Sequence, residues 1–434
     1  MTTPRLAPPA AIKEICRTLE TAGHEAWCVG GAVRDALLGI ETLDWDIATS
    51  AHPEQVQKLF KRTVPVGLKF GTVGVLDRAG VLHEVTTFRH DVETDGRHAI
   101  VKFGASLEED LARRDFTMNA IAVHAERLEV RDPFHGRADL EKRVVRCVGD
   151  ARERMREDRL RALRAIRFAG RFGFAIEAAT WDAIRESAPH LGRLSMERVK
   201  QELEKVMEQV ARPSETLERY RDAGILASLV PSLADAPRAR FAAVDHLAVP
   251  GMKGRPNRRA IRLAALFVEP GKAPGRDLER TLKALKYSNV EAREAVALAA
   301  GAAALAVPVD LALDGAALRR AVARIGRLEL PALARLLWAH GAVALAERGA
   351  DAAVAPATRQ VRVAAIALYR RATRSAWRDP ITLGDLAVDG DDLRSAGVPA
   401  GREMGETLAR LLEAVLEDPT RNTREALLAL ARPR

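Results

Sequence analysis

A chain of 434 residues with 47% hydrophobic but only 4% aromatic residues can bury sizeable cores, and at ~150 residues per domain it has room for about three domains. Lysine and arginine total 68 against 59 aspartates and glutamates, a formal charge of +9, so the surface is rich in both signs and suits a polyanionic partner. Met1 to Ile12 lacks the layout of a secretory signal, and the longest uncharged run, Ala295 to Val309, falls short of the ~20 residues a bilayer span needs. With Cys16, Cys28 and Cys147 scattered and without metal-ligand spacing, a soluble cytoplasmic protein in a reducing compartment is expected.

Residues 11–22 place Ile12, Ile15 and Leu19 on one side of an amphipathic helix. Ala26 to Val29 reads as a short strand broken by Gly30-Gly31, and a helix from Ala32 to Leu38 ends at Gly39, where a C-terminal glycine belongs. Glycines at a strand-to-helix junction let backbone N–H groups approach a phosphate, and Arg34 is placed to add a charged donor. Taken alone, such a pair is an ordinary turn.

Asp44-Trp45-Asp46 lies thirteen positions beyond Gly31. On a strand, Asp44 and Asp46 share one face and Trp45 takes the other. Two neighbouring carboxylates repel, and a hard divalent ion such as Mg²⁺, sharing its coordination with substrate phosphates, relieves that repulsion. The plain alternative is a solvated turn. A helix then starts at His52-Pro53, with His52 as a simple polar residue at its start, and runs through Phe60. Strands follow at Gly71 to Asp77 and Val81 to Phe88. Glu84 on the second is either a third acid beside the aspartates or a solvated edge residue. Asp91 to Phe103 is polar and aperiodic, the pattern of a mobile loop. Ser106 and Glu109 form a capping box for a helix through Arg113. Arg113 and Arg114 can hold a triphosphate or stand as surface charges.

The spacing predicts one helix from Ala151 to Arg171, with eight arginines against three acids. Leu160, Leu163 and Ile166 make an apolar stripe, and Asp158, Arg161, Arg164 and Arg167 a polar stripe one position away. A solvated arginine face explains the charge but not the aspartate set among the arginines. Carboxylate only accepts and guanidinium only donates. Cytosine and adenine offer an amino donor beside a ring acceptor, which Asp158 and Arg161 complement; guanine and uracil reverse the pattern. Unpaired buried polar groups reject the wrong base far more strongly than shape does.

Gly30-Gly31-Ala32-Val33-Arg34-Asp35, Asp44-Trp45-Asp46, Glu84-Val85-Thr86-Thr87-Phe88-Arg89, Arg113-Arg114-Asp115-Phe116-Thr117-Met118-Asn119-Ala120 and Glu157-Asp158-Arg159-Leu160-Arg161 occur in this order. With Ile381 to Leu393 near the end, they resemble the bacterial class II CCA-adding tRNA nucleotidyltransferases and their poly(A) polymerase relatives, within the polymerase-beta-like nucleotidyltransferase superfamily. The resemblance implies an α+β chain: a small head of mixed sheet and helices, then an all-α remainder. Its boundaries are expected at 1–147 for the catalytic head, 148–215 for a neck that recognises the base, 216–375 for an RNA-binding body and 376–434 for a tRNA-binding tail. It implies phosphate contacts from Gly31 and Arg34, two Mg²⁺ ions on Asp44 and Asp46, and nucleotide contact from Arg114. Asp158 and Arg161 become a protein template for the base, supported by Arg164 and Arg167. Asp95 and Arg97 fall in a flexible loop tied to the switch from C to A.

Some relatives carry a His-Asp phosphohydrolase domain. Here the comparable stretch, Arg262 to Glu269, has no such pair, so no phosphatase activity is expected. The rest of the chain reads as helices with loops at 249–256 and 269–275, and Gly397 to Gly401 forms a helix-start loop near which an RNA phosphate can bind. The expected reaction is addition of C, C and A to tRNA from CTP and ATP. A poly(A) polymerase, an A-adding enzyme and a silent RNA-binding chaperone are the alternatives.

Overall fold

The computed structural model describes residues 6–94, 99–247, 258–268, 276–305, 314–347 and 354–431. The chain forms two compact units, one of residues 1–206 with 219–234 and the other of 207–218 with 235–434.

In the first unit, α1 (Ala10–Thr21) precedes β1 (Ala26–Val29), α2 (Gly31–Leu37), β2 (Asp46–Thr49) and α3 (Pro53–Leu59). Then come β3 (Thr63–Gly67), β4 (Thr72–Leu76), β5 (Leu82–Thr87), the hairpin β6 (Arg89–Thr94) and β7 (Ala99–Phe103), and α4 (Leu107–Ala112). Two short strands, β8 (Ala122–Val123) and β9 (Val130–Arg131), complete a seven-stranded sheet ordered β3-β4-β5-β2-β1-β8-β9. Within it β2 and β5 run parallel, Ile47 beside Val85, and the other pairs are antiparallel.

The two faces of this sheet are covered differently. Period-two alternation sends Trp27, Val29 and Ala48 to one face, where they pack with Phe88, Ala105, Leu107, Leu111, Ala120 and Ala122. On the other face Cys28 meets Cys16 of α1, whose apolar stripe Ile12, Ile15, Cys16 and Leu19 is fully buried.

α5 (Gly136–Glu141), α6 (Ala151–Glu157), α7 (Leu160–Phe172), α8 (Ala178–Ser187) and α9 (Met196–Gln209) follow. The second unit, among the described residues, is helical. Its C-terminal part closes on Val388, Leu393, Val398, Leu411, Val415, Leu427 and Ala431. Gly397 and Gly401 both take positive φ before the helix Arg402–Glu417, a conformation glycine adopts without strain. The loops expected at 249–256 and 269–275 lie outside the described residues.

Four sequence expectations change. Asp44 is exposed in the segment before β2, which begins at Asp46, so the pair does not sit on one strand; Trp45 between them is buried, its indole N–H on the Thr42 carbonyl. The expected helix 151–171 is two helices. Asp158 has φ −146° and ψ 101°, and its carboxylate accepts from the Leu160 N–H at 3.1 Å, so a local side-chain bond replaces helix continuity. Residues 89–94 and 99–103 pair as an antiparallel ribbon rather than forming a loop; Asp95 and Arg97 lie outside the described residues. An edge strand, β3, occupies residues assigned to no element.

Candidate active site

The parallel register of β2 and β5 sets Ile47 beside Val85 and Ala48 beside Thr86; one residue earlier it brings Asp46 alongside Glu84. Asp44 reaches the same place from the preceding segment. Burial pushes the Asp46 carboxyl up to about 6, and the neighbouring charges of Asp44 and Glu84 push the same way while Arg114 opposes them. Three acids thus gather where β2 and β5 begin side by side, a surplus of negative charge that a cation would relieve. Their donors are all carboxylate oxygens, the set Mg²⁺ takes. Among the described residues no group of three or more His, Cys, Asp or Glu forms a metal cage. A cation at Asp44 and Asp46 would complete its shell with oxygens from a bound substrate.

Gly30 is the hinge of this site. Its φ of 77° suits glycine, and a β-carbon there would lie 3.1 Å from Arg114 Nη1 and 3.5 Å from Asp46 Oδ2. The glycine therefore lets a guanidinium and a carboxylate close over the start of α2. Arg114 is held by Asp110 at 3.0 Å, and the same buried carboxylate takes Arg113 Nε at 3.1 Å.

Arg34 is 4% exposed. It donates from Nε to Asp35 at 2.8 Å and from Nη1 to Asn119 at 2.6 Å, and its guanidinium lies 5.0 and 4.8 Å from the ring centres of Phe168 and Phe172. A β-carbon on Gly31 would stand 3.5 Å from Arg34 Nη2, so this guanidinium lies just beneath the first turn of α2.

The arginines of α7 are committed to partners. Arg161 donates to Glu157 at 2.6 Å and to the carbonyls of Arg154 at 3.0 Å and Arg113 at 3.2 Å. Arg164 meets Asp115 at 2.7 Å, and Arg167 meets Glu202 of α9 at 2.6 Å. Their side chains are 10%, 30% and 3% accessible respectively, so Arg164 is the most exposed of the three and Arg167 is closed off. Asp158, 26% accessible, receives Arg198 at 2.6 Å. The bond from Arg161 to the Arg113 carbonyl joins the start of α7 to the residue next to Arg114.

Sequence reasoning assigned no role to Asp115, Asn119, Asp110, Glu202 or Arg198. Asp115 accepts from Arg164, from Asn119 Nδ2 at 2.8 Å and from the Phe116 N–H at 2.9 Å. Burial raises this carboxyl, but Arg164 foremost, with Asn119, holds it below the usual carboxylate range. The four-residue spacing of Asp115 and Asn119 was the available signal. Nothing in the sequence alone pairs Glu202 with Arg167.

Residues 26–146 match the "Poly A polymerase head domain" family, 173–236 the "Probable RNA and SrmB- binding site of polymerase A" family, and 362–431 the tRNA nucleotidyltransferase domain 2 family. A CCA-adding enzyme of Geobacillus kaustophilus is 39% identical over 421 residues, covering 96% of this chain and 94% of that protein. The crystal structure of the Bacillus stearothermophilus CCA-adding enzyme in complex with CTP superposes with a TM-score of 0.71 at 34% identity, covering 98% of this chain and 96% of that one. The Thermotoga maritima CCA-adding enzyme complexed with tRNA shares the fold, with a TM-score of 0.61 at 21% identity over 96% of this chain and 93% of that one. Among the described residues no helix is long and apolar enough to cross a membrane.

Proposed function

Since the chain belongs to the family of CCA-adding enzymes, which are nucleotidyltransferases, we propose that it adds C, C and A to the 3′ end of tRNA from CTP and ATP, without a nucleic-acid template, releasing pyrophosphate. The observation that carries the reading is the crowding of Asp46 by Asp44 and Glu84 beside Arg114 on one face of the sheet, where β2 and β5 run side by side. Asp44 and Asp46 would hold two Mg²⁺ ions. When bound, these lower the pKa of the RNA 3′-hydroxyl and neutralise the departing pyrophosphate.

The chain's own residues orient the reactants. The Gly31 amide, with the Arg34 guanidinium beneath it, receives a phosphate of the nucleotide, and Arg114 binds the same triphosphate from the side of Gly30. Asp158 would exchange Arg198 for the amino group common to cytosine and adenine, while Arg161 donates to the adjacent ring acceptor. Arg161 is preset for this by Glu157 and two carbonyls, which fix its plane. Arg164 lends charge to the nucleotide, and Arg167, closed off by Glu202, keeps the template helix in place. Catalysis is then positioning and charge neutralisation, with no covalent enzyme intermediate. In domain terms, residues 1–147 carry the chemistry and 148–215 the base recognition, while 216–375 and 376–434 hold the tRNA by shape and backbone contacts.

The test supplies purified protein with tRNA lacking its terminal CCA and each NTP singly. CTP alone should give a two-nucleotide extension, and CTP with ATP a third nucleotide. Extension by ATP alone into a homopolymer would replace this reading with polyadenylation.

A further inference from the structure

The catalytic carboxylates stand at one end of a row that crosses four strands. Asp46 of β2 neighbours Glu84 of β5; Glu84 pairs with Gly74 of β4, and Gly74 pairs with Val64 of β3. Cross-strand partners point to the same face, so all four positions share the face that carries the acids. Over β1 and β2 this face is covered by the packing of Ala48, Leu107, Leu111 and Ala120. Over β5, β4 and β3 this face carries exposed side chains among the described residues. Leu82, two residues before Glu84 and therefore on its face, is 42% exposed, and Val64 and Val66 are 38% and 44% exposed.

These side chains form one surface. A β-carbon on Gly74 would lie 2.6 Å from Leu82 Cδ1 and 2.8 Å from Val66 Cγ2, so both side chains lean over the glycine and meet above it. The result is an apolar floor beginning about 5 Å from the Asp46 strand and ending about 14 Å away, at ~4.8 Å per strand. Apolar side chains gathered on an exposed edge mark a contact surface.

Resting on the reading above, we propose that Val64, Val66 and Leu82 are positioning residues that seat the 3′-terminal nucleoside of the tRNA being extended. Its ribose lies toward Glu84 and Asp46, and its base on the floor. A floor that starts one strand from the carboxylates and spans the width of a nucleoside places a 3′-hydroxyl at the aspartates when the base lies flat on it. The side chains also lack any hydrogen-bonding group. They cannot tell one base from another, which the reaction requires, because the terminal nucleotide changes at every step. Base choice is left to the incoming nucleotide and the Asp158 turn, while the floor supplies contact without discrimination.

The test measures single-turnover addition of the first C to tRNA lacking CCA, comparing wild type with Val66→Ala/Leu82→Ala. Val66 and Leu82 are 44% and 42% exposed, and circular dichroism of the variant checks that the fold is retained. At ~25 cal/mol per Å² of lost apolar contact the rate should fall about 10- to 30-fold, with tRNA affinity and the KM for CTP within about twofold of wild type. The Val66→Ile/Leu82→Met variant should keep the wild-type rate. A tRNA whose last nucleotide is abasic should slow the wild type by a similar factor and slow the alanine variant no further. An unchanged rate in the alanine variant, or equal losses on intact and abasic RNA, would overturn the floor. Failure of the wild type to add C at all would instead overturn the proposed activity.

Discussion

Arg167 and Glu202 form an ion pair 2.6 Å long in which the side chains are 3% and 2% accessible, tying α7 to α9 behind the nucleotide-recognition turn. Burial raises the Glu202 carboxyl, yet Arg167 first and Arg164 next outweigh it, and the group sits below its usual range. Glu202→Ala would remove the buried carboxylate that faces the Arg167 charge, at a cost of about 3–5 kcal/mol. Chemical denaturation should show that loss near neutral pH. Because the folded carboxyl is depressed, its contribution is present above the unfolded value of 4.5 and disappears as pH falls through the folded one. The gap between wild type and variant should therefore narrow in acid.

Asp44→Asn and Asp46→Asn should each lower nucleotide transfer by about a thousandfold while leaving tRNA affinity within a few-fold. Filter binding alongside single-turnover transfer separates the two effects. Retained transfer in the double variant would remove the metal assignment.

Asp158→Ala should relax base choice. Deleting the acceptor that complements an amino group removes the penalty against carbonyl-bearing bases, so discrimination against UTP and GTP should fall about 100-fold. Binding of tRNA should stay near wild type. Unchanged discrimination would refute the template role.

These predictions draw on both readable and hidden parts of the chain. The sequence revealed the β1–Gly30–α2 junction, because glycine between a strand pattern and a helix pattern has few other uses. It also revealed the Ser106/Glu109 capping box, which the structure forms with both bonds, Ser106 N to Glu109 at 2.6 Å and Glu109 N to Ser106 at 3.2 Å. It concealed β3, since Val64-Pro65-Val66 carries a proline that cannot donate to a ladder and is tolerated only at an edge, which is where the strand lies. It concealed the ribbon of β6 and β7 because Arg89 to Thr94 holds a single apolar residue, and backbone pairing leaves no mark in side-chain periodicity. The break at Asp158 was hidden for the opposite reason. Helical periodicity runs straight through it, and a single side-chain bond to the Leu160 N–H redirects the backbone.

His340 provides a pH signature for the second unit. Burial lowers its pKa from 6.5 to about 4, only partly offset by a hydrogen bond with the Ala265 backbone. The folded state holds it neutral while the unfolded chain takes up a proton, so stability falls as pH drops from about 6.5 toward 4, by up to about 3 kcal/mol. His340→Gln should flatten that part of the stability profile in a urea titration; an unchanged profile would exclude the histidine as its source.

The most direct measurement sequences the 3′ ends of products made from CCA-less tRNA with all four NTPs present at equal concentration. The account predicts that products converge on CCA and that growth stops after the third nucleotide. Runs of A, or U and G at the added positions, would contradict it.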